Sequence, residues 1–319
     1  MTAEFKTMRD VAINRIYNKM KERNDIFFLS ADLGAIALDE LRTNFKERFI
    51  NVGIAEQNLI NISTGLALEG FIVYSYAIVP FLTMRAYEQI KNNISLLSQI
   101  KDINVNLMGV GAGLSYDISG PSHHGIEDIS IMMTLPNIMI FSPSDCIITK
   151  KIIDFSIDNN KPKYIRLDSK PLPQIYNEDD EISFKTGFSE IIEGEKICLV
   201  ATGYMTHKAL EIATECKKNN MNVGVVDIFS LRPINSYLLY KLLKKYDHII
   251  TLEEGFINKS GLDRLILNTL LDNNPSISFK SLGIKENYIF DSGDRNYLHK
   301  IAGMDKDNVI KIIKERWRR

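Results

Sequence analysis

Three short segments combine residue types that can do chemistry. Asp32 follows an apolar run at 25–30, Glu56 follows one at 49–52, and residues 109–124 join a string of glycines to Ser119, His123 and His124. Each trails a stretch that reads as a buried strand, and in open α/β sheets ligands gather beyond the carboxyl ends of strands. A carboxylate such as Glu56 at a strand-to-helix junction has two available roles. It can complement the positive end of the helix, or hold and move a proton on a bound ligand. Asp32 is open between a ligand contact and a helix N-cap. Imidazoles titrate near neutral pH, which suits a loop histidine such as His123 for proton transfer.

Commoner motifs are excluded. Gly109-Val110-Gly111-Ala112-Gly113-Leu114 puts leucine where a dinucleotide fingerprint needs glycine, and a long loop follows instead of a helix. Neither G-x-x-x-x-G-K-[ST] nor G-x-S-x-G occurs. His123 and His124, with Glu127 and Asp128 nearby, lack a recognised zinc spacing, so a hydrogen-bonding pair is favoured.

The elements that must position these residues follow from periodicity. Val11, Ala12, Ile16 and Met20 recur at helical spacing over 8–21. Strands are predicted at 25–30, 49–52, 74–78, 104–108, 138–141 and 164–167, with helices at 56–68 and 84–97. Further on, strands at 197–201, 223–226 and 248–252 alternate with helices at 207–218, 236–245, 261–271 and 306–317. Such alternation implies βαβ units, so the fold class is α/β, with two doubly wound, mostly parallel-sheet domains. Pro171, Pro173 and the acidic run Glu178-Asp179-Asp180-Glu181 mark an exposed linker. The domains are then 1–175 and 191–319, joined by a linker at 176–190.

Composition narrows the function classes. Lys and Arg number 39 against 40 Asp and Glu, so no basic excess exists to neutralise a nucleic-acid backbone. The longest apolar run, 71–84, is broken by Ser75 and Pro80, whereas a membrane-spanning helix needs about 20 apolar residues. The amino terminus lacks a signal-peptide layout, and Cys146, Cys198 and Cys216 are scattered, so a reduced cytoplasmic setting is expected.

Taken in order, Gly53-Ile54-Ala55-Glu56-Gln57-Asn58, residues 81–89 and Gly120-Pro121-Ser122-His123-His124-Gly125-Ile126-Glu127-Asp128 resemble the pyrimidine-binding half of thiamine-diphosphate enzymes of the transketolase family. Val226-Asp227-Ile228-Phe229-Ser230-Leu231-Arg232-Pro233 and Thr251-Leu252-Glu253-Glu254 resemble the family's C-terminal domain. The resemblance covers nearly the whole chain. It implies that Glu56 meets the aminopyrimidine nitrogen of the cofactor and favours its imino form. Phe81, with Arg85 and Tyr87 near, is implied as the aromatic platform, although the spacing from Phe81 to Arg85 differs from the family's by one residue. Asp32 matches an aspartate near the cofactor across a dimer interface, His123 a histidine facing substrate hydroxyls, and Arg9 a phosphate-gripping arginine. Ile36, Gly111, Ser119 and Ser169 stand where the family keeps other substrate-reading side chains. Arg166 and Lys170 are the available compensating cations, but a flexible ammonium does not replace a planar bidentate fork, and these departures imply a modified sugar as the expected substrate.

No G-D-G occurs in this sequence. The resemblance therefore implies a split enzyme. An N-terminal subunit would carry the diphosphate-binding domain and its Mg2+ (or Ca2+), with no metal ligands on this chain. Self-association through the pyrimidine and C-terminal domains would give two copies of each subunit. The implied reaction moves a two-carbon ketol unit from a ketose donor to an aldose acceptor, with sugar or sugar-phosphate substrates. Alternatives are a chain like deoxyxylulose-phosphate synthase, which shares Arg85-Ala86-Tyr87, a 2-oxoacid dehydrogenase β-like chain, or a non-catalytic assembly partner.

Overall fold

The computed structural model describes residues 6–272 and 277–317. Helix α1 (Met8–Glu22) starts at Thr7, whose hydroxyl accepts from the Asp10 N–H, and buries Met8, Ala12, Ile13, Ile16 and Met20 on one face. The first half continues through β1 (Ile26–Ser30), α2 (Leu38–Asn44), β2 (Phe49–Asn51), α3 (Glu56–Leu68), β3 (Ile72–Ile78) and α4 (Tyr87–Gln89). Then come β4 (Val105–Val110), α5 (Asp128–Met133), β5 (Met139–Phe141), α6 (Cys146–Ile157) and β6 (Lys163–Leu167). The second half comprises β7 (Phe188–Ile192), β8 (Ile197–Ala201), α7 (Tyr204–Lys218), β9 (Gly224–Ile228), β10 (Ser230–Arg232) and α8 (Ser236–Leu243). It ends with β11 (His248–Phe256), α9 (Leu262–Leu271), β12 (Ser278–Ile284), α10 (Arg295–Ala302) and α11 (Lys306–Trp317).

Two sheets result, in the orders β10-β5-β6-β4-β3-β1-β2 and β12-β11-β8-β9-β7. All pairings are parallel except β10 on β5 and β7 on β9. Every residue of β4 and β8 is buried, as strands covered on both faces require. The α/β class and the paired sheets agree with the sequence reading. One crossing was not anticipated: β10 follows β9 of the second sheet, yet it pairs in the first.

Two further expectations need correction. The single helix predicted over 84–97 is instead a π turn at Phe81–Arg85, the short α4, a second π stretch at Ile90–Leu96 and a 3₁₀ turn at Leu97–Gln99. A π turn takes up one extra residue while the helix axis continues. That is a physical reason for the odd spacing between Phe81 and Arg85. The segment 176–190, expected as an exposed linker, is anchored at its start and enters β7 at Phe188. Asp145 accepts from the Ile175 and Tyr176 N–H groups, each at 2.8 Å, and the buried Tyr176 donates to Asp227. The acidic run is largely exposed, with Glu178 held by Lys150 at 2.9 Å.

Asp227 of β9 lies fully inside the protein. It accepts from Ser144 Oγ at 2.7 Å, Tyr176 Oη at 2.9 Å and Thr206 Oγ1 at 2.7 Å, so one carboxyl ties the first half, the connecting segment and the second half. Burial pushes its pKa up to about 6, against the pull of the three hydroxyl donors. A carboxyl raised above its unfolded value contributes most when protonated. That contribution is complete below the unfolded value and fades as pH rises through the folded one. Relative to the parent, Asp227→Asn should therefore gain stability between about pH 4 and pH 6, by up to a few kcal/mol. Urea unfolding across that range measures it, and a pH-independent difference would contradict the assignment.

Candidate active site

Glu56 is the first residue of α3 and is 2% exposed. It enters the helix after Gly53, which takes a left-handed φ of 75° at the turn leaving β2. Asn51 braces this turn, donating to Asp32 Oδ1 at 2.8 Å and accepting from the Gly53 N–H at 3.0 Å. Asp32 is exposed and holds a positive φ of 56°, so it is a strained polar residue at the end of β1 and caps no helix. The turns after β1 and β2 are thus bonded to each other beside Glu56.

An uncompensated carboxylate this deep would be costly. Arg85 supplies the opposite charge, with Nη1 2.5 Å from Glu56 Oε2, while its own side chain stays 44% exposed. The π turn brings the Arg85 guanidinium over the Phe81 ring, 4.9 Å from its centroid. Phe81 meets the His123 ring edge-on at 5.2 Å, and His123 Nδ1 lies 3.0 Å from Ser122 Oγ. Glu56, Arg85, Phe81 and His123 therefore form one continuous run of contacts. Tyr87 is outside it, because its hydroxyl meets Thr134 Oγ1 at 2.5 Å beside α5.

His124 plays a different part from its neighbour. It is buried, its Nε2 lies 3.4 Å from the Asp117 carbonyl, and burial lowers its pKa below the ordinary imidazole value. The imidazole is accordingly neutral at pH 7 and braces the loop.

The expected substrate-side residues are dispersed. Arg9 is half-buried, donates to Asp10 Oδ1 at 2.8 Å and interacts electrostatically with Tyr76 and Tyr116. Ser119 and Ile36 are exposed, and Ser169 donates to the Ser115 carbonyl at 3.1 Å. Arg166 requires correction as a compensating cation. It is 4% exposed, and its donors go to Asp128 Oδ2 at 2.7 Å and to the Gly125 and Glu254 carbonyls. Lys170 is likewise taken, paired with Asp117. Gly111 has a φ of 97°, and a Cβ there would strike the Tyr116 ring, so Tyr116 occupies the space a longer side chain would need.

Sequence reasoning missed a cluster behind the loop. Glu254 of β11, Arg295 and His299 of α10 and Asp168 after β6 are 5% exposed or less and mutually bonded. Burial pushes the Glu254 carboxyl up, but the Arg295 fork and His299 outweigh it and hold the group far below the usual carboxylate range. In the sequence Glu254 stands out only as part of a motif, and no local pattern points to Arg295. Among the described residues, no three His, Cys, Asp or Glu side chains gather as a metal site.

Comparisons with known proteins bear on this geometry. Residues 6–174 match the family model described as transketolase, pyrimidine binding domain, and residues 189–309 match transketolase, C-terminal domain. One of the subunits of the apulose-4-phosphate transketolase of Actinobacillus succinogenes is 33% identical over 307 residues, covering 96% of each chain. A putative transketolase C-terminal section of Methanocaldococcus jannaschii is 30% identical over 318 residues, covering 99% of this chain and 98% of the relative. A solved structure described as a split gene transketolase, inactive beta4 tetramer, superposes with a TM-score of 0.83 at 28% identity, covering 98% of both chains.

The contact at Gly111 yields a direct test. Gly111→Ala should destabilise the chain by about 1–3 kcal/mol, from the left-handed backbone and the clash together. Tyr116→Ala in the same chain should return part of that loss, so the pair should be less than additive. Denaturant unfolding of the two single variants and the double variant measures it.

Proposed function

The chain belongs to the transketolase family, and from that premise we propose that it is the pyrimidine-binding subunit of a two-chain transferase. The reaction is movement of a two-carbon ketol unit from a ketose to an aldose. The observation that carries the reading is Glu56, buried and joined through Arg85 to Phe81 and His123. A deep carboxylate beside an aromatic face fits an aminopyrimidine, which needs an acceptor for its ring nitrogen and a flat apolar surface. Bound thiamine diphosphate would supply an electron sink at its thiazolium carbon.

This chain's residues would do the rest. Glu56 holds the proton at the pyrimidine nitrogen, and Phe81 covers the ring. Arg85, half-exposed, keeps the carboxylate compensated and can turn outward when the pyrimidine arrives. His123 holds and moves a proton at a substrate hydroxyl. Asp32 approaches the cofactor from a second copy of the chain. Phe81, Arg85 and His123 all keep some exposure, so the face needs a second polypeptide to close it against water. We assign the diphosphate and its Mg2+ (or Ca2+) to that polypeptide. Relatives described as one subunit of a transketolase and as a transketolase C-terminal section span the same length as this chain, which supports the division. The inactive beta4 tetramer supports self-association. Two cofactor sites under twofold symmetry then require two copies of each subunit.

On the substrate side, each candidate cation already has a carboxylate partner: Arg9 has Asp10, Arg166 has Asp128 and Lys170 has Asp117. This supports a sugar other than the ordinary pentose phosphates. The relative from Actinobacillus, described by its action on apulose 4-phosphate, fits the same class.

The decisive experiment measures proton–deuteron exchange at the thiazolium C2 in the complex of this chain with its partner. Glu56→Gln should keep the fold and slow exchange by about 10²–10⁴-fold. Unchanged exchange would reduce Glu56 to a helix-end residue and remove the main support for the reading. His123→Ala should instead leave cofactor affinity nearly intact and lower donor turnover. A loss of cofactor binding with normal turnover at saturation would reverse that assignment.

A further inference from the structure

The loop that carries Ser119 and His123 leaves β4 and returns to α5, and two of its points are fixed by the second half of the chain. At the first, the Leu114 N–H donates to Glu254 Oε2 at 3.2 Å, and a Cβ on Gly113 would collide with the Glu254 side chain. At the second, Asp117 Oδ2 accepts from the Arg295 N–H at 3.0 Å and pairs with Lys170. Behind these points Arg295 forks onto Glu254, with Nε 2.7 Å from Oε1 and Nη2 2.5 Å from Oε2, and Nη2 also lies 2.7 Å from Asp168. The guanidinium rests 3.5 Å above the Tyr204 ring centroid, and His299 Nε2 closes on Glu254 Oε1 at 2.5 Å.

None of these groups has a part in the proton chemistry of Glu56 or His123. A buried ion pair is also poor evidence for a stabilising device, since well-packed apolar residues often hold a core as firmly. What a forked ion pair adds is direction. It fixes a backbone in one register: Glu254 holds one side of the turn that leads to the exposed tip at Ile118 and Ser119, and the backbone N–H of Arg295, set by the fork behind it, holds the other.

We propose that Glu254 and Arg295 are positioning residues for the transferase reaction, setting the 113–124 loop so that His123 meets the substrate. The second domain thereby governs turnover without touching the reactants. This rests on the substrate-facing role given to His123 above, and the test separates the two ideas.

Two measurements on Arg295→Met are required, with Val200→Ala in β8 as a control for general loosening. In the chain by itself, amide hydrogen exchange should accelerate at least about tenfold over residues 113–124 while β4 keeps its protection. The control should raise exchange without that preference. In the complex with its partner, donor cleavage should fall between about 10- and 100-fold in kcat, with cofactor affinity and donor KM within about twofold of the parent. Arg295→Lys keeps charge but loses the fork and should fall between the two. It also serves if the methionine variant does not fold. Equal loosening of loop and sheet, or parental kcat with a loosened loop, would overturn the proposal. Should the unsubstituted complex show no ketol transfer, the functional reading fails, while the exchange measurement still decides whether these residues hold the loop.

Discussion

The bond between Glu254 and Arg295 is the interaction on which the rest of the molecule leans. Both ions lie in the seam between the sheets, where leaving either one alone would be far more costly than in water. Each is therefore surrounded: Arg295 by Glu254, Asp168 and the Tyr204 face, Glu254 by Arg295, His299 and the Leu114 amide. Charge satisfaction and domain placement become the same requirement. The adjacent carboxyl shows how specific this is. Glu253 has no such fork, and burial pushes its pKa up to about 7. Two neighbouring glutamates on one strand thus shift in opposite directions: Arg295 forks directly onto Glu254, whereas the buried Arg166 acts on Glu253 through its charge alone and does not outweigh burial.

The outward-facing site is built by another device. Glu56 comes from a helix start and Phe81 from a π turn, elements separated by β3. The π turn rotates Arg85 onto the Phe81 ring while its guanidinium still reaches the Glu56 carboxylate. A regular helix over the same residues would advance by a different angle and separate these contacts. On the substrate side, the sequence contains cations enough, but the fold spends Arg166 on Asp128 and Lys170 on Asp117.

Legibility tracked the range of the interactions involved. The helix at Lys306–Trp317 and the strand at Ile197–Ala201 were readable to the residue, because periodicity over ten or so positions is a local property. The place of Glu56 at a helix start was readable because its neighbours form a contiguous motif after a strand. Helix α6 escaped notice, since Ile147, Ile148, Ile152, Ile153 and Ile157 make it apolar over a wide arc. The π turn left only a one-residue irregularity in spacing. Of the Glu254–Arg295–Asp168 cluster only Glu254 is visible in the sequence, as part of a motif, since the members come from three distant segments and meet only after both sheets have formed. Arg166 was misjudged for the same reason: its type suggested a ligand grip, and only the fold shows Asp128 already in it.

One detail of topology bears on how such a chain comes off the ribosome. The outer edge of β5 is covered by β10, which lies beyond β7, β8, α7 and β9 in the chain. At synthesis rates of about 5–20 residues per second, the nascent first sheet waits several seconds for its last strand. An open edge invites pairing with other chains, and β5, at three residues, offers little to pair with. Its shortness limits that hazard while the covering strand is still being made, and a polypeptide ending before residue 230 would keep the edge bare for good.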